Sequence, residues 1–196
     1  MRYTPWTTLS LQADYYRIDY TDSKIIYDNA SATFVNLGRA RYQGIELEAF
    51  YSPAFLDGLK LHAGYAYLDS QQLVGANAGR QMPYASRHQL VLDGRYQWRD
   101  TTFALSAYYY SAAFSDKENS REESAKGDAG RLPAYTVWNA QVTQQLYHDR
   151  DSQLSGYLTV NNLLNKDYYY RGIDTSPWGR QPAPGRSVTL GVDYTF

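Results

Sequence analysis

The sequence predicts an all-β fold: an antiparallel transmembrane β-barrel of about eight strands. Three observations carry this. Apolar and polar side chains alternate with a period of two in eight segments, the spacing of strands with two unlike faces. The connections between segments are alternately short and long. Tyrosine accounts for 21 of 196 residues, against 6 phenylalanines and 2 methionines. A soluble core draws on Leu, Ile, Phe and Met, whereas Tyr, with an apolar body and a polar tip, suits a boundary between lipid and water.

Each segment can be taken in order. Leu9, Leu11, Ala13 and Tyr15 oppose Ser10, Gln12, Asp14 and Tyr16. Ile45, Leu47, Ala49 and Tyr51 oppose Glu46, Glu48 and Phe50. In the third segment Leu59, Leu61, Ala63, Tyr65 and Tyr67 lie opposite Lys60, His62, Gly64 and Ala66. The fourth runs from His88 to Trp98, with Leu90, Leu92, Gly94, Tyr96 and Trp98 against Val91, Asp93, Arg95 and Gln97. The fifth, from Thr101 to Phe114, sets Phe103, Leu105, Ala107 and Tyr109 against Ala104, Ser106, Tyr108 and Tyr110. Trp138, Ala140, Val142 and Leu146 oppose Val137, Asn139, Gln141 and Thr143 in the sixth. Leu154, Gly156, Leu158 and Val160 oppose Ser155, Tyr157, Thr159 and Asn161 in the seventh, which is expected to reach Leu164. In the last, Val188, Leu190, Val192, Tyr194 and Phe196 oppose Ser187, Thr189, Gly191, Asp193 and Thr195. About 9–11 residues is the length a tilted strand needs to cross a bilayer.

The short connections are SPAFLDG, RD and HDRDS, and long loops separate them. Bacterial transmembrane barrels segregate their loops in this way, with the short side periplasmic. A soluble β-sandwich is the rival architecture. Its dry interior would not accept Lys60, Asp93, Arg95 and Asp193 on the polar face, whereas a wet lumen does.

Composition narrows function. The net charge is −1, without the basic excess of a nucleic-acid binder. With no cysteine, thiolate metal sites, disulfides and Cys nucleophiles are excluded. Mean hydropathy is −0.59, and no run approaches the roughly 18 apolar residues of a transmembrane helix. The start, MRYTPWTTLSLQADYY, has no apolar signal-peptide core, so Met1 is expected to be an artificial or internal start. His62, His88 and His148 are expected at different heights and on different strands, His148 in a short turn. That scatter argues against catalytic residues and against a side-chain metal site. The charged run at 116–128 is expected to be a solvated, mobile loop rather than a calcium site, since Lys117, Arg121 and Lys126 interleave its acids.

Four stretches carry a resemblance to TonB-dependent outer-membrane receptors of the siderophore or ferric-chelate type. NLGRARYQGIELEAFYSP matches the family's strand pattern at Asn36, Gly38, Ala40, Gly44, Ile45 and Glu46. RQMPYASRHQL matches at Pro83 and His88, with Ser86 where proline is common. VNNLLNKDYY is similar to the penultimate-strand motif through Asn162, Leu163, Leu164, Asn165, Lys166 and Tyr168. The end, PGRSVTLGVDYTF, resembles the family's final strand after a P-G-R turn, and its last eight residues, TLGVDYTF, resemble the β-signal that the barrel-assembly machinery reads on outer-membrane proteins, carried by Thr189, Gly191, Tyr194 and Phe196.

The resemblance implies that residues 1–196 are the C-terminal part of a receptor barrel, about the last third of a 22-stranded cylinder around a plug. The plug, the N-terminal strands and the energy-coupling box would lie outside this chain. It further implies a ferric chelate as ligand, the TonB complex as a partner through that plug, contact with outer-membrane lipid and lipopolysaccharide, and the outer membrane of a Gram-negative bacterium as location. Neither a cofactor, nor a protein-held metal, nor covalent chemistry is implied. The rival function is a small complete eight-stranded barrel serving as an anchor or adhesion protein.

Ligand-binding candidates are arginines and aromatics of the long loops: Arg80, Tyr84, Arg87, Arg131, Tyr169, Arg171, Trp178 and Arg180. Tyr168 and Tyr170 adjoin them. Arginine beside Tyr or Trp holds anionic, ring-bearing ligands through charge-assisted hydrogen bonds and stacking. The competing role for these side chains is in the outer aromatic girdle and against lipopolysaccharide phosphates.

Overall fold

A computed structural model describes residues 2–21, 25–28, 33–36, 38–125, 129–170 and 181–196. The period-two segments form one antiparallel sheet of nine strands in sequence order. They are β1 (Arg2–Trp6), β2 (Leu9–Tyr20), β3 (Ala40–Tyr51), β4 (Leu59–Gln72), β5 (His88–Trp98), β6 (Thr101–Tyr110), β7 (Tyr135–His148), β8 (Gln153–Asn161) and β9 (Ser187–Thr195). Three two-stranded ribbons lie in the long connections: Ile25–Asp28 with Thr33–Asn36, Ala113–Phe114 with Arg131–Leu132, and Tyr169–Tyr170 with Gln181–Pro182.

The ninth strand, β1, is not legible as alternation. It is short, contains Pro5, and its pairing to β2 is irregular between Tyr3 and Trp6. Proline removes a ladder donor and is tolerated at an edge. Among the described residues β1 pairs only with β2, and β9 only with β8. The sheet is therefore open, which removes the idea that these strands close a small cylinder of their own.

Register follows the alternation. The outward face carries Leu11, Ile45, Leu47, Leu61, Leu92, Phe103, Leu105, Val142, Leu158 and Leu190, all exposed although they are large and apolar. A continuous apolar face of this extent marks a membrane or partner surface. Toward the long-loop end the same face turns polar. Arg17, Asp19 and Arg41 follow Tyr15 and Ile45, and Arg41 Nε donates to Asp19 at 2.7 Å. Beside them Gln43 donates to Asp69 at 3.0 Å. The apolar band is thus bounded in height, as a lipid-facing band must be.

One position departs from strict alternation. The β7–β8 register shifts between Gln145 and Tyr147, so Leu146 and Tyr147 both sit against Leu154. This bulge puts two consecutive apolar side chains on the outward face, with 58% and 51% of their surface exposed. His148 is the last paired residue of β7, opposite Gln153, rather than part of the turn. Two further boundaries differ from expectation. β6 ends at Tyr110, leaving Ala113–Phe114 to a ribbon, and β8 ends at Asn161 because Asn162 and Asn165 adopt left-handed backbone.

Candidate binding site at the long-loop end

All long connections leave the same end of the sheet, because adjacent strands alternate in direction. Two of them fold back over the polar face. Met82 and Ala85 of the β4–β5 connection are buried against Ala40, with Tyr42 and Leu68 packed alongside. Ser70 and Gln72, at the end of β4, are buried beneath them.

Side-chain amides weld this connection to the next. Asn119, itself at φ +55°, accepts from Gln81 N at 2.7 Å and donates back to Gln81 O at 2.9 Å. The amide imitates a neighbouring strand, satisfying both backbone groups of a buried residue. Gln72 Nε2 donates to Lys117 O at 2.7 Å and to Gln81 O at 3.2 Å. Tyr84, at φ +57°, donates its N–H to Phe114 O at 2.7 Å. Asp116 is buried and accepts from Ser120 N and Gly130 N, each at 3.0 Å, closing the β6–β7 connection on itself. The run beginning at 116 is therefore folded in at its start, contrary to the solvated loop expected. Two backbone N–H groups supply the burial that its charge composition does not announce.

Between these connections lies a cleft of about 590 Å³, lined by Arg87, Arg121, Arg131, Gln81, Asn119, His88, Ser111 and Phe114 among others. Among the described residues three arginines and no acidic residue line it, which suits an anion. On the polar face next to it is a second cleft of about 560 Å³, walled by Tyr108, Tyr110, Tyr135 and Tyr168, with Asn139, Asn161 and Asn162 at its polar side. The rings of Tyr110 and Tyr135 stack at 5.2 Å, and Tyr168 leans on Tyr135 at 4.5 Å.

Tyr168 is held there by the asparagine motif. Asn162 accepts from Lys166 N at 2.7 Å and donates to Lys166 O and Pro184 O. Asn165 accepts from Arg186 N at 2.9 Å. Left-handed backbone favours Asn at both positions, and their amides tie the two ends of the last long connection together.

The expected ligand residues divide accordingly. Arg87 and Arg131 meet in the basic cleft. Arg80 is exposed and Tyr84 joins the two connections through its backbone N–H, and neither is among the residues that line the basic cleft. Tyr169 is in the third ribbon, beside the cleft-lining Tyr168. Arg171, Trp178 and Arg180 lie outside the described residues. Arg121 joins the cleft from a run that reads as merely charged, while Tyr108 and Tyr110 stand on the polar face that the alternation assigns them and the register lays Tyr135 against Tyr110.

Among the described residues, one histidine is paired with a carboxylate in a way that invites a catalytic reading. His62 Nδ1 lies 3.1 Å from Asp93 Oδ2 on the polar face, with its ring stacked on Phe50. Its buried Nε2 makes no hydrogen bond among the described residues and faces the Glu48 carboxylate at 4.0 Å rather than a hydroxyl nucleophile. Among the described residues, no group of three or more His, Asp or Glu is placed to hold a metal. His88 instead bonds Tyr65 OH at 2.8 Å, on the outward face.

Comparison with known proteins places this architecture. Residues 1–163 match the family model described as TonB dependent receptor-like, beta-barrel. The chain is 29% identical over 171 residues to the ferric-pyoverdine M114 receptor PbuA of Pseudomonas sp. strain M114, covering 85% of this chain and 20% of that protein. It is 27% identical over 162 residues to the probable TonB-dependent receptor BfrD of Bordetella pertussis, covering 80% of this chain and 21% of that one. The fold superposes on the ferric citrate transporter FecA in the unliganded form with a TM-score of 0.82 at 24% identity, over 99% of this chain and 30% of that one. BauA, the ferric preacinetobactin receptor from Acinetobacter baumannii, gives 0.71 at 21% identity, over 96% of this chain and 27% of that one. The chain thus spans about a fifth of these curated relatives and under a third of these solved structures.

Proposed function

The chain belongs to the TonB-dependent receptor-like β-barrel family, and from that premise we propose that it is the C-terminal part of the barrel of an outer-membrane receptor for a ferric siderophore or similar scarce nutrient. The observation that carries this reading is the pairing, at the long-loop end, of a three-arginine cleft with a tyrosine-walled cleft. Ferric chelates with carboxylate, catecholate or similar groups present negative charge around flat or ring-bearing arms, and that pairing complements both. The names of the relatives, a ferric-pyoverdine receptor and a ferric citrate transporter among them, support the ligand class.

The family is one of receptors, not of enzymes. The chain's own work is to bind and admit. In this reading the apolar band faces outer-membrane lipid, with lipopolysaccharide against its long-loop edge. Thr189, Gly191, Tyr194 and Phe196 form the signal by which the barrel-assembly machinery takes up the last strand. Energy from TonB reaches the ligand through a plug supplied by another part of the receptor. The site is the outer membrane of a Gram-negative bacterium.

The test is ligand binding by the complete purified receptor, followed by quenching of intrinsic fluorescence across a panel of ferric chelates. An anionic chelate should bind, and Arg87→Ala, Arg121→Ala and Arg131→Ala should each weaken it about tenfold or more, because a hydrogen bond to a charged group contributes about 1.5–3 kcal/mol. Unchanged affinity in the triple variant would remove the basic cleft from the binding site. Growth of a receptor-deletion strain on the same panel would then identify the nutrient.

A further inference from the structure

The alternation that puts each strand's apolar side toward lipid leaves one ambiguity. A slip of one residue turns every side chain to the wrong face, but a slip of two restores the faces. On β9 the outward residues Val188, Leu190, Val192 and Tyr194 are all apolar, so a two-residue slip against β8 costs little on the lipid side. No tight turn resolves it, since β8 and β9 are joined by the long connection 162–186.

The polar face does resolve it. Tyr157 is directly opposite Gly191. The end of its side chain covers that glycine so closely that a Cβ there would collide with the Tyr157 ring carbon Cζ and its hydroxyl oxygen. Gly191 is also the one partly covered residue of a strand otherwise exposed throughout. In either two-residue slip the ring would meet Thr189 or Asp193, both of which carry a Cβ. The same arrangement recurs at the other end of the sheet. Tyr16 is opposite Gly44, where a Cβ would collide first with the Tyr67 carbonyl oxygen of the other neighbouring strand and would also fall 2.8 Å from the Tyr16 hydroxyl oxygen, so backbone and ring together keep this seat for glycine. A slip there would offer Tyr42 or Glu46. β2 and β3, too, are joined by a long connection, 21–39. Among the described glycines, the pairs joined by tight turns show no such ring contact.

We propose that Tyr157–Gly191 and Tyr16–Gly44 are register locks, in which the glycine is a seat only the correct neighbour offers to the tyrosine ring. The lock acts on strand pairs whose long loops leave the register open. An aromatic ring over a strand glycine also restores the burial that glycine forfeits. Gly191 then has a role distinct from recognition by the assembly machinery. The machinery would read the strand, while Tyr157 tests where it has been laid.

This inference rests on reading β8 and β9 as neighbouring membrane strands of the receptor. Its test is therefore made in the complete receptor assembled in an outer membrane. Leu158 and Leu190 are opposed on the outward face. Leu158→Cys with Leu190→Cys reports the native register, and Leu158→Cys with Val192→Cys reports a two-residue slip, both read as disulfide-linked peptides by mass spectrometry. The parent should cross-link only in the native pair. Its failure to do so would overturn the strand pairing itself, and the lock with it. Given native cross-linking in the parent, Gly191→Ala should lower the native product severalfold. Tyr157→Ala should let the slipped product appear, and Tyr157→Phe, which keeps the ring, should behave as the parent. In the double variant Tyr157→Ala with Gly191→Ala, native product should recover above the Gly191→Ala level. A Gly191→Ala receptor that cross-links like the parent, or a double variant no better than Gly191→Ala alone, would overturn the lock and leave Gly191 to a role in recognition.

Discussion

The two faces of the sheet answer to different surroundings. Outward side chains meet one medium, and their identities are nearly interchangeable: Leu, Ile, Val and Phe occupy equivalent positions across β2 to β9. The polar face has no such uniformity. There His62 meets Asp93 and Phe50, Tyr157 meets Gly191, and the β4–β5 connection buries Met82 over Tyr42 and Leu68. A face that contacts a solvent is specified by composition, while a face that contacts neighbours is specified position by position. The same sequence, read strand by strand, therefore carries two kinds of information in alternate residues.

The strongest way to break this comparison is to exchange the two kinds of chemistry at adjacent positions. Leu105 is outward in β6 and Ala104 faces the other way. Leu105→Arg should cost about 2–4 kcal/mol near the middle of the lipid band and sharply reduce the receptor recovered in the outer membrane. Ala104→Arg, one residue away, should assemble at close to the parent level. Equal loss from both would mean that the faces are not what their exposure indicates. Membrane fractionation with heat-modifiability on gels reads either outcome.

A smaller effect belongs to the polar-face connections. Asn119→Ala removes the amide that pairs with both backbone groups of Gln81 and puts alanine, which adopts left-handed backbone less readily than asparagine, at φ +55°. An unsatisfied buried group costs about 1–3 kcal/mol. Amide hydrogen exchange at residues 78–84 should accelerate about tenfold or more, with exchange in β6 and β7 unchanged. Next in size is Tyr168→Ala. It strips one ring from the Tyr135 stack and should weaken chelate binding about fivefold, in keeping with roughly 1 kcal/mol for an aromatic pair. An effect confined to stability, with affinity intact, would assign the tyrosine cleft to packing.

These contrasts explain what could be read in advance. Eight strands, their faces and the segregation of loops follow from period two, because lipid imposes a rule on every second residue. β1 escaped, since Pro5 and an irregular register leave no alternation to see. The basic cleft was half legible. Arg87 and Arg131 were recognisable as loop cations, but nothing local brings Arg121 beside them; that depends on Asn119 reaching Gln81 across 38 residues of sequence. Tyr108, Tyr110 and Tyr135 were visible as tyrosines, yet their cleft exists only once Tyr110 is laid against Tyr135 and the paired asparagines turn Tyr168 back onto it. Asn162 and Asn165 carried a recognisable motif whose physical content, left-handed backbone plus amide ties, came only with the structure.

The faces meet at the short-turn end, and the weakest prediction sharpens the comparison there. The β7 bulge turns Tyr147 outward, but its hydroxyl does not stay among apolar neighbours. It donates to Asp149 in the turn. The Asp149 carboxylate also accepts from the N–H groups of Asp151 and Ser152, at 2.9 and 2.8 Å. The Tyr147 hydroxyl first, and then these amides, hold its pKa down to about 2 from an ordinary 3.8. A depressed carboxyl stabilises the fold fully above its unfolded value, and that stabilisation is lost as pH falls through the folded one. Asp149 should thus support the turn at any pH above about 4 and cease to do so as pH falls toward about 2. Because the carboxylate is fully exposed, solvent screens it and the effect on global stability is small. Hydrogen exchange at Asp151 and Ser152 isolates it: protection should decline across that interval in the parent, while Asp149→Asn should show no step there. Protection that persists unchanged to pH 2 in the parent would mean that the backbone alone, through Asp149 N–H to Ser152 O at 2.9 Å, holds the turn, and that the outward tyrosine ends in water rather than on a partner.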